Sequence, residues 1–296
     1  TFFEQGYQAV ENPDDPTNSL LYIGAILLAT LGFLAAFKYD LDWIVRVVIV
    51  ATSGLLSWYV FSALLPSTVA AGLGAAVSVA LWVYPEWYVV DTAGVLMGAG
   101  AAGLFGITFG LLPALVLLSV LAVYDAISVY GTEHMLDLAD GVMDLRIPAI
   151  LVIPLSLSYS LLEEETDMSE NGESTDEGQQ DDDGKAGVDE DAEDDERDVF
   201  FIGLGDAVIP GVLVASAAFF SPAPQFAVPI IELNLPALLA LIGTLGGLLV
   251  LMRMVMKGRA HAGLPLLNGG AIAGYLLGSL LAGISLIETV GLTGMI

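Results

Sequence analysis

Apolar stretches of helix-spanning length alternate with short polar breaks along most of the chain. They run at 20–37, 43–65, 67–84, 92–110, 111–130, 199–220, 235–256 and 264–287. Most approach the about 20 residues that a bilayer requires of a helix, so the pattern predicts eight membrane spans. The fourth and fifth are parted only by Gly110-Leu111-Leu112-Pro113. Residues 1–19 are polar, with turn signals at Asn12-Pro13 and Asp15-Pro16. In 132–147, Met135, Leu136, Leu138, Ala139, Val142 and Met143 recur at helical spacing between Asp137, Asp140, Asp144 and Arg146. This predicts an amphipathic helix on the membrane surface. Residues 147–162 are apolar but broken by Pro148 and Pro154, and read as a membrane-hugging or partly inserted segment rather than a ninth span. The predicted fold class is therefore all-α, a polytopic membrane helix bundle. Its expected parts are a lead-in (1–19), an N-terminal bundle (20–130), a surface segment (131–162), a long loop (163–198) and a C-terminal bundle (199–296).

Composition strengthens the membrane reading. The 296 residues are 56% hydrophobic with a mean hydropathy of +0.77, which suits a multi-span protein and not a soluble domain. There is no cysteine, so disulfides, thiolate metal sites and cysteine nucleophiles are excluded. The net charge is −27, but nineteen of the 35 acidic residues lie in 163–198, against only Lys185 and Arg197. Such an acidic, aromatic-poor tract is predicted to be a disordered, solvated loop. Acid excess elsewhere points to a high-salt setting such as that of a halophilic archaeon, where charge is screened. No nucleic-acid partner is expected.

The eight basic residues test the topology. Lys38, Arg46, Arg146, Lys185, Arg197, Arg253, Lys257 and Arg259 all fall on one side of eight alternating spans. The positive-inside rule makes that side cytoplasmic. The expectation is a multi-pass plasma-membrane protein whose 163–198 loop is cytoplasmic and whose C-terminus lies outside.

Two carboxylates break the spans. Asp125 lies near the cytoplasmic end of the fifth apolar span, and Asp206 near the start of the sixth. An ionised Asp in a bilayer costs at least ~2.5 kcal/mol and marks a functional site by default. Neighbouring antiparallel helices would bring the two acids to similar depth. Hydrolysis by a metal would use a pattern such as His-Glu-x-x-His, but His134 and His261 both lie outside the spans and form no such motif. A serine route needs a nearby base, and no His or Lys is buried beside a serine; Thr52-Ser53-Gly54 reads as helix packing. The acid pair remains. Carboxylates sharing a site cannot both ionise cheaply, so one keeps its proton. The ionised one draws a proton from water while the other donates to the scissile carbonyl. Their titration would belong to the pair.

Tyr124-Asp125 in one span, Gly203-Leu204-Gly205-Asp206 in the next and Leu264-Pro265-Leu266-Leu267 opening the last resemble the presenilin and signal peptide peptidase family. These are the Gly-x-Gly-Asp intramembrane aspartyl proteases, and the Gly-Leu-Gly-Asp form looks like the presenilin side, in its archaeal type. The resemblance runs from about residue 11 to the C-terminus, through Pro113–Tyr130, the predicted surface helix with Arg146-Ile147-Pro148-Ala149 and the acidic loop. It implies an aspartic endopeptidase that cuts the transmembrane helices of membrane proteins with Asp125 and Asp206 as catalytic dyad. Gly203, Leu204 and Gly205 would then shape the site, and Pro265, Leu266 and Leu267 would hold substrate. It implies no metal and no cofactor; a homo-oligomer stays open.

Two departures stand out. Family members have nine spans, so residues 1–19 resemble the loop after a first span, which is expected to precede Thr1. The family's Pro-Ala-Leu motif appears with Leu266 at its middle position, which adds bulk beside the expected site. A literal Pro236-Ala237-Leu238 opens the preceding span and reads as coincidence.

Each motif residue has a structural alternative. Gly203 and Gly205 would allow close approach of helices or of an entering substrate strand. Pro265 removes a backbone donor at the start of the last helix, where freed groups could pair with an extended substrate. Tyr124 would position acid or substrate, or simply pack. Gly94-x-x-x-Gly98 and Gly106-x-x-x-Gly110 predict close helix contacts. Trp43, Trp58, Trp82 and Trp87 with Tyr84 and Tyr88 predict an interfacial belt. The rival reading is a transporter or channel using the two acids as a proton or cation path. A scaffold binding transmembrane helices is a third.

Overall fold

Proline and capping residues set where the helices begin. The computed structural model describes residues 13, 15, 17–39, 41–129, 150–154, 199–228, 231–255 and 262–291. Five long helices come first: α1 (Thr17–Lys38), α2 (Asp42–Ser62), α3 (Ser67–Val83), α4 (Trp87–Thr108) and α5 (Leu111–Ile127). Pro66 precedes α3, and Pro113 lies in the first turn of α5, where its missing N–H costs nothing. Glu86 caps α4, accepting from the Trp87 N–H. That cap starts the fourth apolar helix at Trp87 rather than at residue 92, because a capped helix tolerates Asp91 in its early turns, near the positive end of its dipole.

The second half departs from an all-helical expectation. Strand β1 (Ile150–Pro154) pairs antiparallel with β2 (Val199–Gly203), with Ile150 opposite Gly203 and Pro154 opposite Val199. The sixth helix, α6 (Leu204–Phe220), therefore begins five residues later than the apolar run suggests. Val199-Phe200-Phe201-Ile202 is aromatic and β-branched, which suits a strand once a partner is available. Ile150–Pro154, expected to be a membrane-hugging segment, supplies that partner and also lies against α4. A second antiparallel pair, β3 (Gln225–Val228) with β4 (Ile231–Asn234), connects α6 to α7 (Leu235–Val255). Helix α8 (Gly263–Leu281) and the one-turn α9 (Leu286–Thr289) complete the described chain. Among the described residues the fold is thus mostly helical with two small sheets rather than all-α. The predicted surface helix at 132–147, the acidic loop at 163–198, His134, Lys257, Arg259 and His261 lie outside the described residues.

Among the described residues, four helices are long and apolar enough to cross a membrane: Trp43–Ser62, Trp87–Thr108, Leu235–Met254 and Gly263–Leu281. Four shorter apolar stretches, Leu20–Ala36, Ser67–Val83, Leu111–Ile127 and Leu204–Phe220, accompany them. At 1.5 Å per residue, seventeen residues reach about 25 Å, the lower end of what spans a bilayer.

Packing falls into two clusters. Val50, Leu81, Val90 and Ala93 join α2, α3 and α4. Leu117, Leu118, Leu213, Ala240, Ala271 and Tyr275, with others, join α5, α6, α7 and α8. Small residues bring the clusters together: a side chain on Gly98 would meet Val208 and Leu204 of α6, and one on Gly106 would meet Ala215 and Ser216. Gly54 likewise lies against Ser78 and the Gly74 carbonyl. Without a hydrophobic drive between helices in lipid, such close contacts supply the association. The buried Asn234 ties the second cluster's outer end. Its Nδ2 donates to the Ala217 carbonyl (2.8 Å), and its Oδ1 accepts from the Ala237 N–H (2.9 Å), capping α7.

Candidate active site

Asp125 sits in the last turn of α5 and Asp206 in the first turn of α6. A third element brings them together. The Leu264 N–H at the start of α8 donates to Asp125 Oδ2 at 3.0 Å. Gly263, one residue earlier, lies against the other acid; a Cβ there would stand 2.8 Å from Asp206 Oδ2. Two consecutive residues of α8 therefore line both carboxylates: the backbones of Gly263 and Leu264 bond Asp125, and Gly263 also lies against Asp206. Asp125 is 6% exposed and Asp206 partly buried.

The local chemistry follows from helix ends. The first N–H groups of a helix have no intrahelical acceptor and carry the positive end of its dipole. In α8 the third position is Pro265, which has no N–H, so Leu264 holds the last free donor before the proline. Asp125 takes it. Pro265 thus opens α8 rather than disturbing it. Asp206 occupies the third position of its own helix, where α6's free donors lie. Pro210, four residues on, offers no N–H to the Asp206 carbonyl, so the turn carrying this acid lacks one rung.

The remaining predicted residues are placed less uniformly. Gly203 is the N-cap of α6, and a Cβ on it would lie 3.6 Å from Asp206 Oδ2, an ordinary contact. Gly205 faces nothing within 4 Å. Both are exposed, so close helix packing, one of their two expected roles, does not apply. Leu204 is buried against Gly98 of α4 and anchors the first turn. Tyr124 is 61% exposed. Leu267 is buried, while Pro265 and Leu266 are half-buried. The Leu266 backbone lies against Gly247 of α7, where a Cβ would collide with the carbonyl. The literal Pro236-Ala237-Leu238 opens α7, with Ala237 capped by Asn234 rather than beside either acid.

Two contributors were not legible as site residues: the backbone of Gly263 and the N–H of Leu264. Their only signal is the proline at the third helical position, which leaves the preceding donor unpaired. Among the described residues no group of three or more His, Cys, Asp or Glu is placed to hold a metal ion.

Comparison with known proteins places the chain in a family. Residues 1–284 match the family described as signal-peptide peptidase, presenilin aspartyl protease. The chain is similar to a solved presenilin family intramembrane aspartate protease in a C222 crystal form, with 32% identity and a TM-score of 0.61, covering 94% of this chain and 90% of that one. A P2 crystal form of a presenilin family intramembrane aspartate protease matches with 32% identity and a TM-score of 0.55, over 91% and 86% of the two chains. No curated protein matches the chain closely enough to count as a relative. A family match over nearly the whole length, with this identity to solved structures, establishes that the chain belongs to the presenilin and signal-peptide peptidase family of intramembrane aspartyl proteases.

Proposed function

We propose that Asp125 and Asp206 are the catalytic dyad and that they hydrolyse peptide bonds within the transmembrane helices of membrane-protein substrates. The observation that carries this reading is the pair of contacts to consecutive residues of α8, Leu264 on Asp125 and Gly263 on Asp206. Three helix ends converge there, so the acids face one small volume from two chain segments 81 residues apart.

The chemistry follows from the two environments. A pair of carboxylates in one site shares a proton, because a second charge beside the first is costly. The ionised member takes a proton from water as that water attacks the scissile carbonyl; the protonated member donates to the carbonyl oxygen. The Leu264 N–H holds the Asp125 carboxylate in place throughout, which pre-orients the pair. A helical substrate hides its scissile carbonyl in its own hydrogen bonds and must unwind. Strand β2 runs directly into Asp206, and Gly203 and Gly205 keep side chains away from it, so an extended substrate backbone has room beside the acid. The proposed substrate contacts are the backbone around Gly203–Gly205, with Pro265, Leu266 and Leu267 opposite, and exposed Tyr124 at the edge.

The eight apolar helices are proposed as eight spans, with the 163–198 loop cytoplasmic and the C-terminus outside, as the basic residues require. The ion-path alternative gains nothing from the family match, and the spans offer few further polar groups to continue a path.

The test is cleavage of a single-span substrate by the purified protein, compared with Asp125→Ala and Asp206→Ala. Each substitution is expected to abolish cleavage. Cleavage surviving either would overturn the dyad. Ion flux through reconstituted liposomes that depends on Asp206, without cleavage, would favour the alternative.

A further inference from the structure

Asn268 lies one turn beyond Leu264 on α8 and is fully buried. Its Nδ2 donates to the Leu118 carbonyl of α5 at 3.0 Å, while its Oδ1 has no partner among the described residues. Swapping the two amide atoms would set oxygen against a carbonyl oxygen, so the hydrogen-bond pattern itself assigns the orientation. Leu118 lies inside a regular helix with Ala122 four residues on, so its carbonyl keeps its helical bond and gives the amide its second lone pair. A buried amide with one end unsatisfied is a poor stabiliser, and a leucine of similar size would leave no orphan. What it offers the fold is a fixed position for the helix that carries it.

We propose that Asn268 is a positioning residue for the dyad, pinning α8 to α5 so that the Leu264 N–H meets Asp125. The proposal rests on the dyad reading given above. Bonds at two levels join the antiparallel helices: Asn268 to Leu118, and Leu264 with Gly263 to Asp125. They are seven residues apart on α5, about 10 Å, and four apart on α8, about 6 Å. One level alone leaves α8 free to pivot about it. Two fix both its rotation and its depth against the helix that carries Asp125. From the other side α7 closes on the same stretch, with Gly247 against the Leu266 carbonyl and Gly243 against that of Gly270. Asn268 is not a catalytic residue, since it bonds Leu118 and neither acid.

The full-length protein is measured for kcat, KM and thermal midpoint on a single-span substrate, as Asn268→Leu, Asn268→Gln and Tyr275→Phe. Asn268→Leu is expected to lower kcat about tenfold or more, within the up to ~100-fold that a small misplacement of reacting groups costs, with KM little changed and no loss of thermal midpoint. Asn268→Gln keeps a donor and should recover part of the lost kcat. Tyr275→Phe is the structural control: it removes the 2.6 Å bond to the Thr289 carbonyl at the far end of α8, and should lower the midpoint while leaving kcat alone. An unchanged kcat in Asn268→Leu would overturn the proposal, as would losses that follow the thermal midpoint across both variants. A second readout is independent of catalysis. With Asp125→Cys and Leu264→Cys in a chain that has no other cysteine, a short thiol cross-linker should join the pair, and Asn268→Leu should cut that yield severalfold. An unaltered yield refutes the clamp whether or not the parent protein cleaves, whereas a parent that fails to cleave, with a diminished yield in the cysteine pair, counts against the dyad alone.

Discussion

The two ends of the bundle use glycine in opposite ways. Where α7 and α8 meet, a Cβ on Gly243, Gly247, Gly270 or Gly274 would collide with a backbone carbonyl across the seam, and one on Gly278 would stand 2.7 Å from the Pro236 Cα. In α1, Gly24 and Gly32 face nothing within 4 Å. That helix is docked at one end by Tyr22, whose ring lies 5.5 Å from Phe105 and 4.7 Å from Phe109. Beyond it Leu27, Leu28, Leu31 and Leu34 are exposed. Lipid tails are as apolar as leucine, so an exposed leucine face gains little by docking in a bilayer, whereas backbone contact gains dispersion energy. Rigidity is therefore concentrated in the helix pair that presents Gly263 and Leu264 to the acids.

The largest expected effect tests the tight side. Gly270→Val or Gly274→Val forces a branched side chain into a backbone and should cost on the order of 3 kcal/mol or more, with loss of cleavage, read as thermal midpoint and turnover. A variant as stable and active as the parent would show that the seam yields. Next, Asn234→Leu removes the cap of α7 and its tie to α6, for about 1–3 kcal/mol of stability. Its effect on cleavage should follow only that loss. On the loose side, Gly24→Ala and Gly32→Ala should be neutral or stabilising by up to ~1 kcal/mol, since alanine favours the helix and meets nothing. Destabilisation there would mean that α1 is packed after all.

The smallest effect lies at the entrance to α1. Asp15 accepts from the Thr17 side chain and from the Thr17 N–H at 2.8 Å, and these bonds, the side-chain one foremost, hold its carboxyl below the usual 3.8. A lowered value stabilises the folded form above 3.8, and that contribution disappears as the pH falls through the folded value. Protection of the first-turn amides of α1 should therefore be constant near neutrality and drop only in acid. Asp15→Ala should abolish the acid transition.

Much of this organisation was legible in the chain. Eight apolar helices follow from runs of apolar letters, and two acids inside such runs announce themselves by their cost. Gly54, Gly98 and Gly106 pack closely, as small residues in spans suggest. What escaped has physical reasons. Val199–Gly203 is apolar and continuous with α6, and its strand partner Ile150–Pro154 lies across the acidic tract, so only the tertiary pairing separates strand from helix. The Leu264 donor belongs to the backbone and has no letter of its own. Asn268 is one amide in an apolar run, and its meaning lies in a carbonyl 150 residues away. Gly24 and Gly243 share a letter and differ wholly in surroundings.

The central claim is that Asp125 and Asp206 face each other at the start of α8. The chain has no native cysteine, so an Asp125→Cys/Asp206→Cys double variant reports their approach without interference. After proteolysis between the two positions, a short bifunctional thiol reagent should hold the two fragments together on a denaturing gel. Separate fragments, each modified by a monofunctional reagent yet never joined, would contradict the account.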